Sequence, residues 1–319
     1  MLLSVIISQR NDPLGSLITI RDLLKKLPED TEIVLIDNSD DLTIFPSMIS
    51  HQYIREGRLK ILTSQPSLFI AREKGIREAK GRWILFLDSH MLLGYYAIEA
   101  FLRAGDMFGG SLGFLYGPCA YHYGGEDDEF VDRNLVNLAG MSRTKARLKL
   151  SQGIARITFR GVPMMCEKAH FMRIGGYGAL AKHGMPWGGG DYLLGLKTRM
   201  LGYENYLVDG ALGIHLGPFS GLGSQGFVET YMKLPPPTDW PPYIGMLTAA
   251  YICGGKPLLE ERALQVRRRL GNRQPQVASN AVKLKASRLG EQDRKWLLEN
   301  KKFSYEEIVR KFGYHEEKK

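Results

Sequence analysis

The feature that most restricts this chain's fold is an alternation of short apolar, β-branched runs with helix-period segments over its first 90 residues. Leu2 to Ser8, Glu32 to Ile36, Leu59 to Thr63 and Arg82 to Leu87 read as buried strands. Between them, Ser16 to Leu27 places Leu17, Ile20, Leu23, Leu24 and Leu27 at helical spacing and stops at Pro28. Ser67 to Ala79 reads as a second helix, closed by Gly81. This order predicts an α/β fold, a mostly parallel sheet flanked by helices. Such sheets bind ligands beyond the carboxyl ends of their strands. Asp37 and the pair Asp88 and His90 fall at such ends, which suggests a nucleotide pocket.

The middle of the chain is less regular. Ala120 to Arg133 is polar and acidic, and reads as a loop or short edge element; Arg143 to Lys149 is a basic run. An apolar stretch from Arg160 leads into a helix from Glu167, and Trp187 to Asp191 forms a glycine-rich turn. Tyr192 to Leu201 reads as a helix, and Tyr206 to Ile214 as one strand that delivers His215. The proline cluster Leu234 to Pro242 suits neither a helix interior nor a central strand. It divides the chain into an α/β domain over residues 1–233 and an extension over residues 234–319. The extension holds helices at Ile244 to Ile252 and Leu258 to Leu270, then a basic tail.

Composition narrows the partners. The net charge of +9 favours anionic ligands, although many enzymes are simply basic. Cys119, Cys166 and Cys253 form no CxxC pair, so a disulfide framework and a zinc site are not expected. The polar residues Gln9 to Asp12 cut short the apolar start, which is not a signal peptide, and no run reaches the ~20 residues of a membrane span. The expectation is a soluble chain in a reducing cytoplasm, the host's if the protein is viral, with no stable membrane insertion.

Asp88 and His90 lie two apart just past a strand, so both can turn toward one cation. The plainer alternative is a capping aspartate beside an exposed histidine. Their surroundings carry a resemblance. Ala71-Arg72-Glu73-Lys74-Gly75, then Ala79-Lys80-Gly81, then Ile84 to His90, resembles the "ARNxG…AxGxxLxFLDxD" pattern of family 2 glycosyltransferases of the GT-A (Rossmann-like) fold. Ser4 to Asn11 and Glu32 to Ser39 resemble that family's first two strands. Farther on, Gly175-Gly176-Tyr177, Trp187 to Asp191, Arg199 and Gly202-Tyr203 resemble its "GGFD…WGGEDxDLxxRxxxxGY" segment, with Gly190 in place of the usual Glu. His90 replaces the last Asp of DxD. The Asp-x-His form is similar to that of the polypeptide N-acetylgalactosaminyltransferases, whose third ligand is a later His; here that position falls on His215.

The resemblance implies a UDP-sugar donor and Mn²⁺ (or Mg²⁺) held by Asp88, His90 and His215. It implies Arg72 at the diphosphate, or alternatively on a solvated helix face. Asp37 would bond the base or ribose, and Gln9, Arg10 and Asn11 would line the same pocket. Asp191 would be the base of an inverting transfer; in a retaining transfer it would bind the acceptor, and its plainer role is a helix N-cap. Trp187, Gly189 and Gly190 would face the acceptor, although Trp187 suits core packing equally. The loop Gly217 to Gly226 would close over the donor. The basic charge and Arg267, Arg268 and Arg269 point to DNA, with a hydroxymethylated pyrimidine as acceptor, as in phage-type DNA glycosyltransferases. Alternatives are a transferase acting on polysaccharide, lipid-linked sugar or protein, and a non-catalytic module that binds nucleotide-sugar or nucleic acid. Oligomeric state is not legible.

Overall fold

A computed structural model describes residues 1–43, 54–122, 154–157, 161–186, 188–216, 243–270 and 279–312. Trp187, the loop Gly217 to Gly226, the segment Leu234 to Pro242, the basic run Arg143 to Lys149 and the Arg269 side chain lie outside them.

The first 90 residues fold as their periodicity requires. Strands β1 (Leu3–Gln9), β2 (Thr31–Asp37), β3 (Leu59–Thr63) and β4 (Trp83–Asp88) run parallel in the order β3-β2-β1-β4. β1 and β2 are buried on both faces, which explains their unbroken apolar runs. Each buried Leu, Ile, Val or Phe contributes about 1.5–3 kcal/mol. Helix α1 (Pro13–Lys26) opens on Pro13, with the Asp12 carboxylate accepting from Gly15 N at 3.1 Å. Helix α2 (Leu68–Glu78) is capped by Ser67, whose Oγ accepts from Ile70 N at 3.3 Å.

The sheet changes direction at β1: β2 and β3 lie to one side and β4 to the other. The crevice at such a switch opens between the carboxyl ends of β1 and β4. Pairing sets Ser8 beside Asp88 and Gln9 beside Asp37 there.

Beyond β4, the main sheet continues through β9 (Met164–Glu167), β6 (Leu112–Tyr116), β10 (Glu204–Val208) and β8 (Ile154–Ile157). β9 is antiparallel to both neighbours, while β10 is parallel to β6. The expected single strand from Tyr206 to Ile214 is corrected: it is two strands in two sheets. A turn closed by Ala211 N on Val208 O separates β10 from β11 (Gly213–Leu216). β11 sits between β5 (Met91–Leu93) and β7 (Cys119–His122) in a small second sheet. His215 is therefore inside a strand, not past its end, and pairs with Met91. Helix α3 (Ala97–Phe108) covers β6 and β10.

Short helices α4 (Lys168–Arg173) and α5 (Ala179–Lys182) lead to α6 (Gly190–Met200), which carries Asp191. The C-terminal residues form α7 (Ile244–Leu270), α8 (Asn280–Asn300) and α9 (Tyr305–Phe312). α7 breaks at Gly255 (φ 67°), two residues before Pro257, in agreement with the two helical segments read from sequence. The extension packs on the α/β layer, α7 and α9 against α6 and α8 against α5, and Leu247, Leu297 and Ile308 join the common core.

Candidate active site

The site forms where β4 ends. Asp88 is the last residue of that strand, and the chain turns through Ser89 and His90 directly into β5. β11 runs antiparallel to β5, and Leu216 N donates to His90 O at 2.8 Å. This pairing brings His90 Nε2 and His215 Nε2 to 3.1 Å, with His215 Nε2 3.5 Å from Asp88 Oδ2. Bonds of about 2.1 Å would set neighbouring ligands on one cation about 3.0–3.4 Å apart. The donor set, two imidazoles and one carboxylate, suits a divalent transition ion. Among the described residues, no group of three or more His, Cys, Asp or Glu side chains is arranged so as to hold a metal ion. Asp88, His90 and His215 are neighbours through the His90–His215 and His215–Asp88 contacts.

Arg72 comes from α2 and is buried, so the solvated-face alternative is excluded. Its Nη2 donates to Asp88 Oδ1 at 3.0 Å, its Nη1 donates to the Tyr177 hydroxyl at 3.3 Å, and Nη1 lies 3.5 Å from Asp191 Oδ1. One guanidinium thus joins the end of β4 to the start of α6. Burial would raise the Asp88 pKa, but the His215 hydrogen bond and the charges of Arg72, His215 and His90 hold it well below the usual carboxylate range. At Asp191 burial wins: together with the negative charge of Asp88 it outweighs Arg72 and pushes the carboxyl up to about 6. Burial would lower His90, yet the Asp12 hydrogen bond and the charges of Asp88 and Asp12 keep it above the ordinary imidazole value.

Asp191 is not the N-cap of α6. That position is Gly189, in left-handed backbone (φ 81°), and Asp191 lies in the first turn with its side chain 35% exposed. Gly189 and Gly190 have packing reasons of their own. A Cβ on Gly189 would lie 2.6 Å from Met246 Cα in α7, and one on Gly190 would lie 2.5 Å from the Phe69 ring.

The ends of β1 and β2 form the other wall. Asp37 Oδ1 accepts from Ser39 N at 2.9 Å, while its buried Oδ2 has no hydrogen-bond partner among the described residues. Gln9 is buried and its Oε1 accepts from Asp12 N. Arg10 and Asn11 reach across to Asp40, Arg10 Nη2 at 3.1 Å and Asn11 Nδ2 at 2.8 Å, so they tie the two strand-end loops together. Sequence reasoning missed Asp12. Its Oδ2 lies 2.8 Å from His90 Nδ1, and its only sequence signal is that of a helix cap before Pro13. Tyr177 was also missed as a partner of Arg72. At the far end of α7, Arg267 and Arg268 are exposed.

Residues 4–107 match the family described as Glycosyl transferase family 2. No curated protein matches the chain. Among solved structures, it is similar to the crystal structure of GalNAc-T7 with UDP, GalNAc and Mn²⁺, at 16% identity and a TM-score of 0.61. That match covers 98% of this chain and 58% of the other, so this chain spans little more than half of its neighbour. The family match is confined to residues 4–107, and the neighbour shows a GT-A-like fold.

Proposed function

We propose that the protein moves a sugar from a UDP-sugar to an acceptor hydroxyl with the help of Mn²⁺ or Mg²⁺. The observation that carries this is the meeting of Asp88, His90 Nε2 and His215 Nε2 beside the buried Arg72 at the end of β4. A divalent cation held by Asp88, His90 and His215 would neutralise the charge that develops on the departing diphosphate. UDP and Mn²⁺ in the solved neighbour support the same pair here. Arg72 adds fixed positive charge. Asp37 Oδ2, buried and unpartnered among the described residues, suits a hydrogen bond from ribose or base. Gln9 packs beside it, and Arg10 and Asn11 brace the pocket through Asp40.

Asp191, with a pKa near 6, is ionised at neutral pH and close enough to it to act as a general base. In an inverting transfer it takes the proton of the acceptor hydroxyl as that oxygen bonds to the anomeric carbon and the diphosphate leaves. In a retaining transfer it hydrogen-bonds the acceptor. Gly188 has open space around it and leaves room for an acceptor, while Gly189 and Gly190 hold the packed turn that leads into Asp191; Trp187 adjoins them in sequence and suits an apolar acceptor wall.

For the acceptor we infer a hydroxymethylated pyrimidine in DNA, supported by the +9 charge and by the exposed Arg267 and Arg268. Two measurements test these readings. UDP-sugar hydrolysis should rise with Mn²⁺ and stop with chelator; metal-independent hydrolysis would overturn the cation's role. Mass analysis of hydroxymethylpyrimidine DNA incubated with candidate donors should show a hexose-sized increment. Transfer to a glycan, lipid-linked sugar or protein instead would replace the DNA acceptor while leaving the donor chemistry intact.

A further inference from the structure

We infer that Asp12 is a positioning residue that fixes which nitrogen of His90 is free to bind a cation. This rests on the metal-dependent reading above. Helix α1 grips the turn after β4 with one face. The Asp12 carboxylate oxygen Oδ2 lies 2.8 Å from His90 Nδ1 and accepts from Ser89 Oγ at 3.2 Å. Seven residues along the same face, Thr19 Oγ1 donates to Ser89 O at 2.9 Å and accepts from Met91 N at 2.9 Å. The backbone on both sides of His90 and the inner nitrogen of its ring are therefore held by one helix.

A carboxylate can only accept, so Nδ1 carries a proton, and in the neutral ring Nε2, which faces His215, is the nitrogen with the lone pair. A carboxylate behind a ligating histidine fixes the ring's tautomer and orientation and raises its basicity. The second job of Asp12 is structural: its other oxygen caps α1 through Gly15 N. Serine is an equally good cap but is too short to reach the imidazole. Asp12→Ser thus separates capping from positioning.

The test uses the full chain. In metal-free protein labelled with ¹⁵N in its histidines, His90 should show the Nδ1-protonated pattern, and Asp12→Ser should move it toward a mixture of tautomers. Calorimetric titration with Mn²⁺ alone should show binding weakened about 10–100-fold in Asp12→Ser, with the thermal midpoint of the metal-free chain nearly unchanged. Asp12→Asn, which keeps both the cap and the reach but loses the charge, should fall between the two. If Asp12→Ser unfolds, Asp12→Asn carries the test. Unchanged His90 nitrogen shifts, or wild-type Mn²⁺ affinity in a folded Asp12→Ser or Asp12→Asn chain, would overturn the inference. A wild-type chain that binds no Mn²⁺ would instead defeat the metal-dependent reading, while the nitrogen shifts would still decide the role of Asp12.

Discussion

Two carboxylates, one at the end of β4 and one at the start of α6, share a single guanidinium yet are driven to opposite acidities. Asp88 takes Arg72 at 3.0 Å and His215 besides, and stays ionised. Asp191 has Arg72 at the looser distance of 3.5 Å, with Asp88 as a repelling neighbour, and rises to about 6. The two are similarly exposed, at 30% and 35%. Burial raises both carboxyls, and only at Asp88 do the partners outweigh it. A permanently charged group suits holding a cation, and a group that titrates near neutrality suits moving a proton.

Substitutions can break this contrast. Asp88→Ala or His90→Ala should reduce Mn²⁺-dependent donor turnover to background, a loss above about a thousandfold. Normal turnover in either variant would remove it from the metal site. Asp191→Asn should bind donor as wild type but slow transfer by about 10²–10³-fold, measured by single-turnover transfer. In the wild type, transfer should fall as pH drops below about 6, because protonation removes the accepting form of Asp191. The Asn variant should lack that inflection.

Arg72→Met sharpens the comparison. It withdraws the charge that lowers both carboxyls, so the inflection assigned to Asp191 should move to higher pH. It should also destabilise the fold by about 3 kcal/mol, at the lower end for a broken buried pair because both carboxylates partly reach solvent. Denaturant midpoints would measure this. The smallest effect lies far from the chemistry. Replacing Arg267 and Arg268 by Gln should weaken duplex binding and reduce its logarithmic salt slope by about 2. An unchanged slope would count against a DNA contact at that end of α7.

Much of the contrast was legible in the sequence, for a definite reason. β1, β2 and β4 are buried on both faces, so their apolar runs mark them directly, and the residue after such a run lies at the ligand edge. Asp37, Asp88 and His90 followed from that. What stayed hidden depends on contacts between distant segments. The antiparallel insertion of β9, the division of Tyr206 to Ile214 between two sheets, and the placement of His215 opposite Met91 are pairing choices that local periodicity does not encode. Asp12 caps α1 with one oxygen, and only the fold shows that its other oxygen reaches His90. The packing of Gly189 and Gly190 against Met246 and Phe69 likewise depends on distant segments.

The close approach of Met246 to Gly189 has a consequence for how such a protein can change. α7 touches the segment that aims Asp191, while the wall formed by β1 and β2 is built entirely from the first forty residues. Rewriting the last quarter of the chain can therefore shift the backbone next to Asp191 and leave the strand ends that carry Asp37 untouched, so that the two walls can drift apart.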